Sequence, residues 1–140
     1  MDLRTLNHQV LYLLVLMGVG VAVWAWLARR GFVRSHASIA TGLDLDDLKR
    51  LAKTDMYLSL AIISLALAIV AAAVIAHCNS NLSEYELRGL LLLGPFCTVL
   101  GVIINAESNK VRSLPVEDEA LQAEVTHVLA TWKSKMLPDW

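Results

Sequence analysis

Three long apolar runs constrain this chain more than any other feature of its sequence. They cover residues 9–28, 57–76 and 89–106, and none of them contains Asp, Glu, Lys, Arg or His. A helix rises about 1.5 Å per residue, so each run can cross a hydrocarbon core of about 30 Å. Three such helices in 140 residues would leave a soluble protein without polar helix faces. The sequence therefore predicts an all-α integral membrane protein with three transmembrane helices.

The three runs divide the chain into seven segments. Residues 1–8 form a tail, 29–56 a first loop with a short helix, 77–88 a second loop, and 107–140 a second tail, with the predicted spans between them. Asp44 is predicted to cap the short helix, which should continue directly into the second span. The first run is longer than the apolar part of a secretory signal and its basic residues follow it, so we expect it to remain as a span.

The distribution of basic residues predicts the orientation of the spans. Two of the twelve Lys and Arg residues, Arg4 and Arg88, lie on one side, whereas ten lie in the first loop and the second tail. Short loops rich in Lys and Arg stay in the cytoplasm. We therefore expect the N-terminus and the second loop outside, the first loop and the C-terminus in the cytoplasm, and the protein in a bacterial inner (plasma) membrane.

Small residues recur on one side of each predicted span, as at close helix contacts in membranes. These predicted packing positions are Gly18 and Ala22 in the first span; Ser64, Ala68, Ala72 and Ala76 in the second; and Gly94, Thr98 and Gly101 in the third. One interpretation is that the stripes pack the three spans against each other. The alternative is that one stripe is free for a partner subunit or a second copy.

The tail after Pro115 has the apolar spacing of an amphipathic helix, predicted over about 116–137. Its acidic start and basic end suit the helix dipole. Four acidic residues against two lysines on this helix make an anionic lipid surface an unfavourable partner. We therefore expect it to dock on protein, either on the chain's own first loop or on a partner. The predicted docking face consists of Leu121, Val125, Val128, Leu129, Trp132 and Met136.

The sequence predicts no catalytic, cofactor-binding or metal-binding residues. Spans that carry ions or protons normally contain ionisable residues, and these three do not. The His77–Cys78 pair is the one feature that could suggest a membrane enzyme, but adjacent residues on a helix point in different directions. A net charge of −1 gives no reason to expect nucleic acid as a partner.

Three hypotheses of function remain. The first is a non-catalytic subunit or scaffold of a membrane complex that contacts protein through its tail helix. The second is a homo-oligomeric pore, because three spans with the N-terminus outside and the C-terminus inside resemble the layout of class I holins. Tails in that class are dense in basic charge, whereas this one is acidic. The third hypothesis is a membrane enzyme that uses His77 or Cys78.

Overall fold

A computed structural model describes the backbone of residues 3–78 and 84–140, and side chains within 9–78, 88, 92 and 95–140. The chain folds into helices, as predicted. They are α1 (Leu3–Ser35), α2 (Gly42–Cys78), α3 (Glu84–Arg112) and α4 (Glu119–Ser134). Helix α1 packs along both α2 and α3, and α4 packs on α2. The α2–α3 pair is not among the closely packed pairs in the described part of the chain.

Two of the helices, Gln9–Ser35 within α1 and the whole of α2, are long and apolar enough to cross a membrane. In the most apolar stretch of each helix, only 17% of the residues of α1 and 0% of those of α2 are buried, which suits a helix surrounded by lipid rather than by protein. Helix α3 has 29 residues and contains Pro95. The predicted third span lies within α3, and part of it lies outside the residues whose side chains are described.

Helix α2 is continuous over 37 residues, so the predicted short helix and second span are one element. The prediction that Asp44 caps this helix is wrong. The helix begins at Gly42, and Thr41 is the capping residue, since its hydroxyl accepts a hydrogen bond from the Asp44 backbone N–H at 3.2 Å. Asp44 in turn accepts from the Thr41 backbone N–H at 2.8 Å. This reciprocal pair is a capping box, in which the acid belongs to the first turn.

The main buried core lies at one end of the molecule, which we call the basal end: the last turns of α1, the first half of α2, the end of α3 and α4. On α2 the apolar side chains recur every three or four residues, which places them on one face of the helix. Helix α4 contributes a matching face. The buried residues of this basal core are Phe32, Ile39, Leu45, Leu48, Ala52, Met56, Val111, Val125, Val128 and Trp132.

The segment between α1 and α2 is joined to the segment between α3 and α4 at the basal end. Ile39 forms a single parallel bridge with Val116, donating to the Pro115 carbonyl at 2.9 Å and accepting from Glu117 at 3.1 Å. These bonds hold residues 115–117 in an extended conformation. Helix α4 therefore starts at Glu119, later than the predicted 116, and it ends at Ser134, where Lys135 is already extended.

Candidate functional site

The centre of the candidate site is a buried ion pair between Arg29 and Asp55. Arg29 follows the apolar part of α1 and Asp55 precedes that of α2, so the two residues meet where the helices run side by side. They are 5% and 7% exposed, and Arg29 Nη2 donates to Asp55 Oδ1. A buried charge without a partner is very costly. The pair therefore fixes the position of α1 relative to α2 along their common axis.

Trp132 connects α4 to this ion pair. Its indole Nε1 donates to Asp55 Oδ2 at 2.8 Å, so both carboxylate oxygens have a donor. The indole is itself buried. Trp132 is thus both the largest apolar side chain of α4 in the basal core and its polar link to α2.

Arg112 brings α3 to the same place. Its guanidinium carbon lies 5.1 Å from the centroid of the Trp132 ring, a cation–π distance. The Arg112 Nε is buried, and so are Nε and Nη1 of Arg29; none of these three atoms has a hydrogen-bond partner among the described residues. All four helices therefore contribute to one junction, which we call the Arg29–Asp55–Trp132 junction, and its two arginines retain unused donors.

Two cavities adjoin this junction. The first has a volume of about 270 Å³, and its lining includes Arg29, Arg112, Lys135 and Asn105. The second has about 300 Å³ and lies between α1, α2 and α3, where the side chains are almost all apolar. They have five lining residues in common: Arg29, Asp55, Ser59, Gly101 and Ile104. The first cavity, which carries the charged side chains, is called the polar cavity below and the second the apolar cavity; the two share part of their walls at the ion pair.

Two carboxylates at the basal end have lowered pKa values. The hydrogen bond from Lys135, followed by that from Thr131, holds the pKa of Asp139 below its ordinary 3.8. Hydrogen bonds from the Thr41 side chain and backbone do the same for the pKa of Asp44. Both carboxylates are therefore ionised at neutral pH, and Asp139 compensates the charge of Lys135 beside the first cavity.

The predicted docking face of the tail lies largely against the chain itself. Val125, Val128 and Trp132 are buried on α2, and Leu121 and Leu129 are partly buried beside them. Met136 is 68% exposed, although it lines the first cavity. On the polar side of α4, Glu124 pairs with Lys49 of the first loop. The tail helix thus rests on the chain's own first loop, one of the two surfaces considered for it.

The predicted packing positions have diverse surroundings. Gly18 and Ala22 are half-buried and line the apolar cavity. Along α2, Ala76 is buried, Ala72 is half-buried, and Ser64 and Ala68 are exposed. Thr98 and Gly101 of α3 are exposed, and Gly94 lies outside the residues whose side chains are described. A Cβ added at Gly18 or Gly101 would meet no atom within 4 Å, so neither glycine is needed for a close contact within this chain.

The described residues do not form the arrangement of side chains that the enzyme hypothesis would require. His77 and Cys78 are exposed at the end of α2, and both Cys78 and Cys97 are free thiols. Within the described part of the chain, no three His, Cys, Asp or Glu side chains come together as a metal site would require.

The sequence interpretation missed the junction itself. It counted Arg29, Arg112 and Lys135 only among the charges that orient the spans, and it gave Asp55 no role. A signal was present: Arg29 directly follows one apolar run and Asp55 lies two residues before the next. In an antiparallel pair of spans these two positions have the same depth, so opposite charges there predict an ion pair.

Comparisons with known proteins do not identify a family for this chain. No family model matches the chain, and no curated protein or solved structure matches it.

Proposed function

We propose that this chain is a non-catalytic membrane protein with three spans that acts as a subunit or scaffold of a membrane complex. The observation that carries the proposal is an uncovered face of small residues on α2. Ala61, Ser64, Ala68 and Ala71 are all exposed and follow each other at steps of three and four, so they lie on one side of the helix. In lipid, small residues favour close approach of a second helix.

This surface differs from the contact that the sequence favoured. The apolar face of the tail helix is occupied by α2, so we assign the contact with other subunits to the α2 face and an internal role to α4. A second copy of the chain is the first partner to test. Steps of three and four allow the same face of two α2 helices to pack symmetrically, as in a two-fold dimer.

The proposed location is the inner membrane of a bacterium, with the basal end in the cytoplasm. Ten of the twelve basic residues belong to the segments that form the basal end, and such segments stay on the cytoplasmic side. The third span is the apolar part of α3, which runs beside α1.

The experiment compares two substitutions on exposed faces of α2. Ala68→Leu places a bulky side chain in the small face, whereas Val70→Leu adds one methylene to an exposed position outside it. We expect wild type and Val70→Leu to sediment in mild detergent as an oligomer, and Ala68→Leu to sediment as a single chain. A wild type that is a single chain, or an Ala68→Leu oligomer of unchanged size, would contradict the proposal. An oligomer that releases dye from vesicles would instead favour the pore.

A further inference from the structure

We infer that the Arg29–Asp55–Trp132 junction binds an anionic phospholipid, with the lipid phosphate in the polar cavity and an acyl chain in the apolar cavity. The first observation is the state of Arg29. Arg29 is only 5% exposed. Its Nη2 binds Asp55, whereas its Nε and Nη1 have no hydrogen-bond partner among the described residues. Leaving a buried donor without an acceptor costs about 1–3 kcal/mol, and more for a charged group.

The second observation is the balance of charge around the polar cavity. Its lining contains the cations Arg29, Arg112 and Lys135, and one carboxylate, Asp55. Asp55 forms an ion pair with Arg29, and Lys135 forms one with Asp139. Arg112 forms no ion pair in the described part of the chain, and its Nε is buried without an acceptor. Two guanidinium groups in one lining that holds a single carboxylate favour phosphate oxygens.

The third observation is that the polar cavity adjoins the apolar one, with five lining residues in common. Along α1 the apolar cavity extends from Arg29 to Val15, about 21 Å at a rise of 1.5 Å per residue. One leaflet of a hydrocarbon core is about 15 Å thick, half of about 30 Å. Arg29 lies where the apolar run of α1 ends, which is the depth of a lipid headgroup. A free phosphate would fill the polar part alone, whereas a phospholipid would fill both.

The net charge of the headgroup follows from the same geometry. A zwitterionic headgroup would bring an ammonium group close to Arg112 and Arg29, and like charges repel. A headgroup such as glycerol adds no positive charge and offers hydroxyl groups to Asn105 and Lys135. The site therefore selects phospholipids with a net negative charge.

Thermal unfolding of the delipidated protein in detergent tests this inference. We expect phosphatidylglycerol to raise the Tm in a saturable way, and phosphatidylcholine or inorganic phosphate at equal concentration to leave it unchanged. An equal shift with inorganic phosphate would overturn the lipid assignment in favour of a simple anion site. Equal shifts with both lipids would overturn the selectivity, and no shift with phosphatidylglycerol would overturn the site.

Two variants and a control locate the binding. Arg112→Gln should weaken the apparent affinity for phosphatidylglycerol by roughly ten- to a hundredfold, the loss expected for one charge-assisted hydrogen bond. Ala22→Leu, which fills the apolar cavity, should reduce the shift as well. Arg30→Gln should respond as the wild type does, because Arg30 stacks on Trp26 and lines neither cavity. An Arg112→Gln response equal to that of the wild type would overturn the assignment of the phosphate to this cavity.

The lipid site rests on the membrane spans of the proposed function, but it does not depend on self-association of the chain through α2. Ala68→Leu, the variant expected to lose assembly, should therefore keep its response to phosphatidylglycerol. This result separates a failure of the oligomer from a failure of the lipid site.

Discussion

The carboxylate of Asp55 links α2 to both α1 and α4, because one oxygen accepts a hydrogen bond from Arg29 and the other accepts one from Trp132. The indole of Trp132 also lies beside Arg112, so one side chain touches a negative and a positive group. The position of each group in this junction depends on the others. Removing one hydrogen bond should therefore cost more than the bond itself contributes, because a buried acceptor is left without a donor.

Trp132→Phe tests this coupling at one atom. Phenylalanine keeps an aromatic ring in the basal core but cannot donate to Asp55 Oδ2. We expect a loss of about 1–3 kcal/mol in the free energy of unfolding, measured by denaturation in detergent. Trp26→Phe is the control, since the Trp26 ring is only partly buried and stacks on Arg30. An equal loss in both variants would show that ring size, and not the hydrogen bond, sets the effect.

Asp44 provides a residue-scale test by pH. Its pKa is lowered in the folded protein by hydrogen bonds from Thr41 and Ala40, so ionised Asp44 stabilises the fold above the ordinary value of 3.8. This stabilisation is lost as the pH falls through the lower folded pKa. We expect Asp44→Ala to unfold more easily than wild type at neutral pH, and the difference between the two to shrink as the pH falls below 3.8. A difference that stays constant as the pH is lowered would contradict the assignment.

At the scale of elements, the basal core depends on the face that α2 presents to α4. Leu45, Leu48 and Ala52 belong to the basal core in which α4 packs on α2, and Ala52 is completely buried there. Lys49 and Glu124 pair at the edge of the contact. The apolar contact and the ion pair together set the register of α4, and the buried apolar side chains supply most of the free energy.

Two leucines on the same helix test this contact. Leu48 is 0% exposed and Leu43 is 77% exposed. We expect Leu48→Ala to lower the free energy of unfolding by about 2–5 kcal/mol, and to make α4 accessible to protease near Val125. Leu43→Ala should change neither property. Rapid cleavage of α4 in the wild type would mean that the tail is not held on α2.

The helices were predictable because their signals are local. Runs of apolar residues indicate α1 and α2, and the spacing from Leu121 to Trp132 indicates α4 and its buried face. The start of α2 was misjudged because Asp44 suits both the capping position and the first turn, and only the hydrogen bonds of Thr41 distinguish them. Asp55 and Trp132 are 77 residues apart in the chain, so no local pattern could join them. The cavities could not be predicted either, since they depend on how the helices pack in three dimensions.

At the scale of the whole molecule, charged residues are concentrated at one end of the helices. The basal end carries ten of the twelve basic and ten of the thirteen acidic residues, while Cys78 lies at the far end of α2. The polar cavity lies between the basal core and the apolar lengths of the helices. A membrane that covers the apolar lengths would therefore place the unpaired donors of Arg29 and Arg112 at the level of its headgroups.

The orientation can be measured with thiol labelling of intact bacterial cells that express the protein. In a Cys97→Ser background, we expect a membrane-impermeant maleimide to label Cys78 from outside. A cysteine at the exposed position Ser134, in a chain that lacks both native cysteines, should react only after the membrane is opened. The reverse pattern would show that the distribution of basic residues misleads here.

The hydrogen bond between Trp132 and Asp55 also has a consequence for the order of biosynthesis. The two residues are 77 positions apart, which at about 5–20 residues per second separates their synthesis by roughly 4–15 s. During this interval Leu45, Leu48 and Ala52 lack the surface that covers them, and Asp55 has only Arg29. A ribosome that stalls before Trp132 therefore leaves a nascent chain with an apolar stripe exposed to chaperones and proteases. Docking of α4 covers this stripe once the helix has been made.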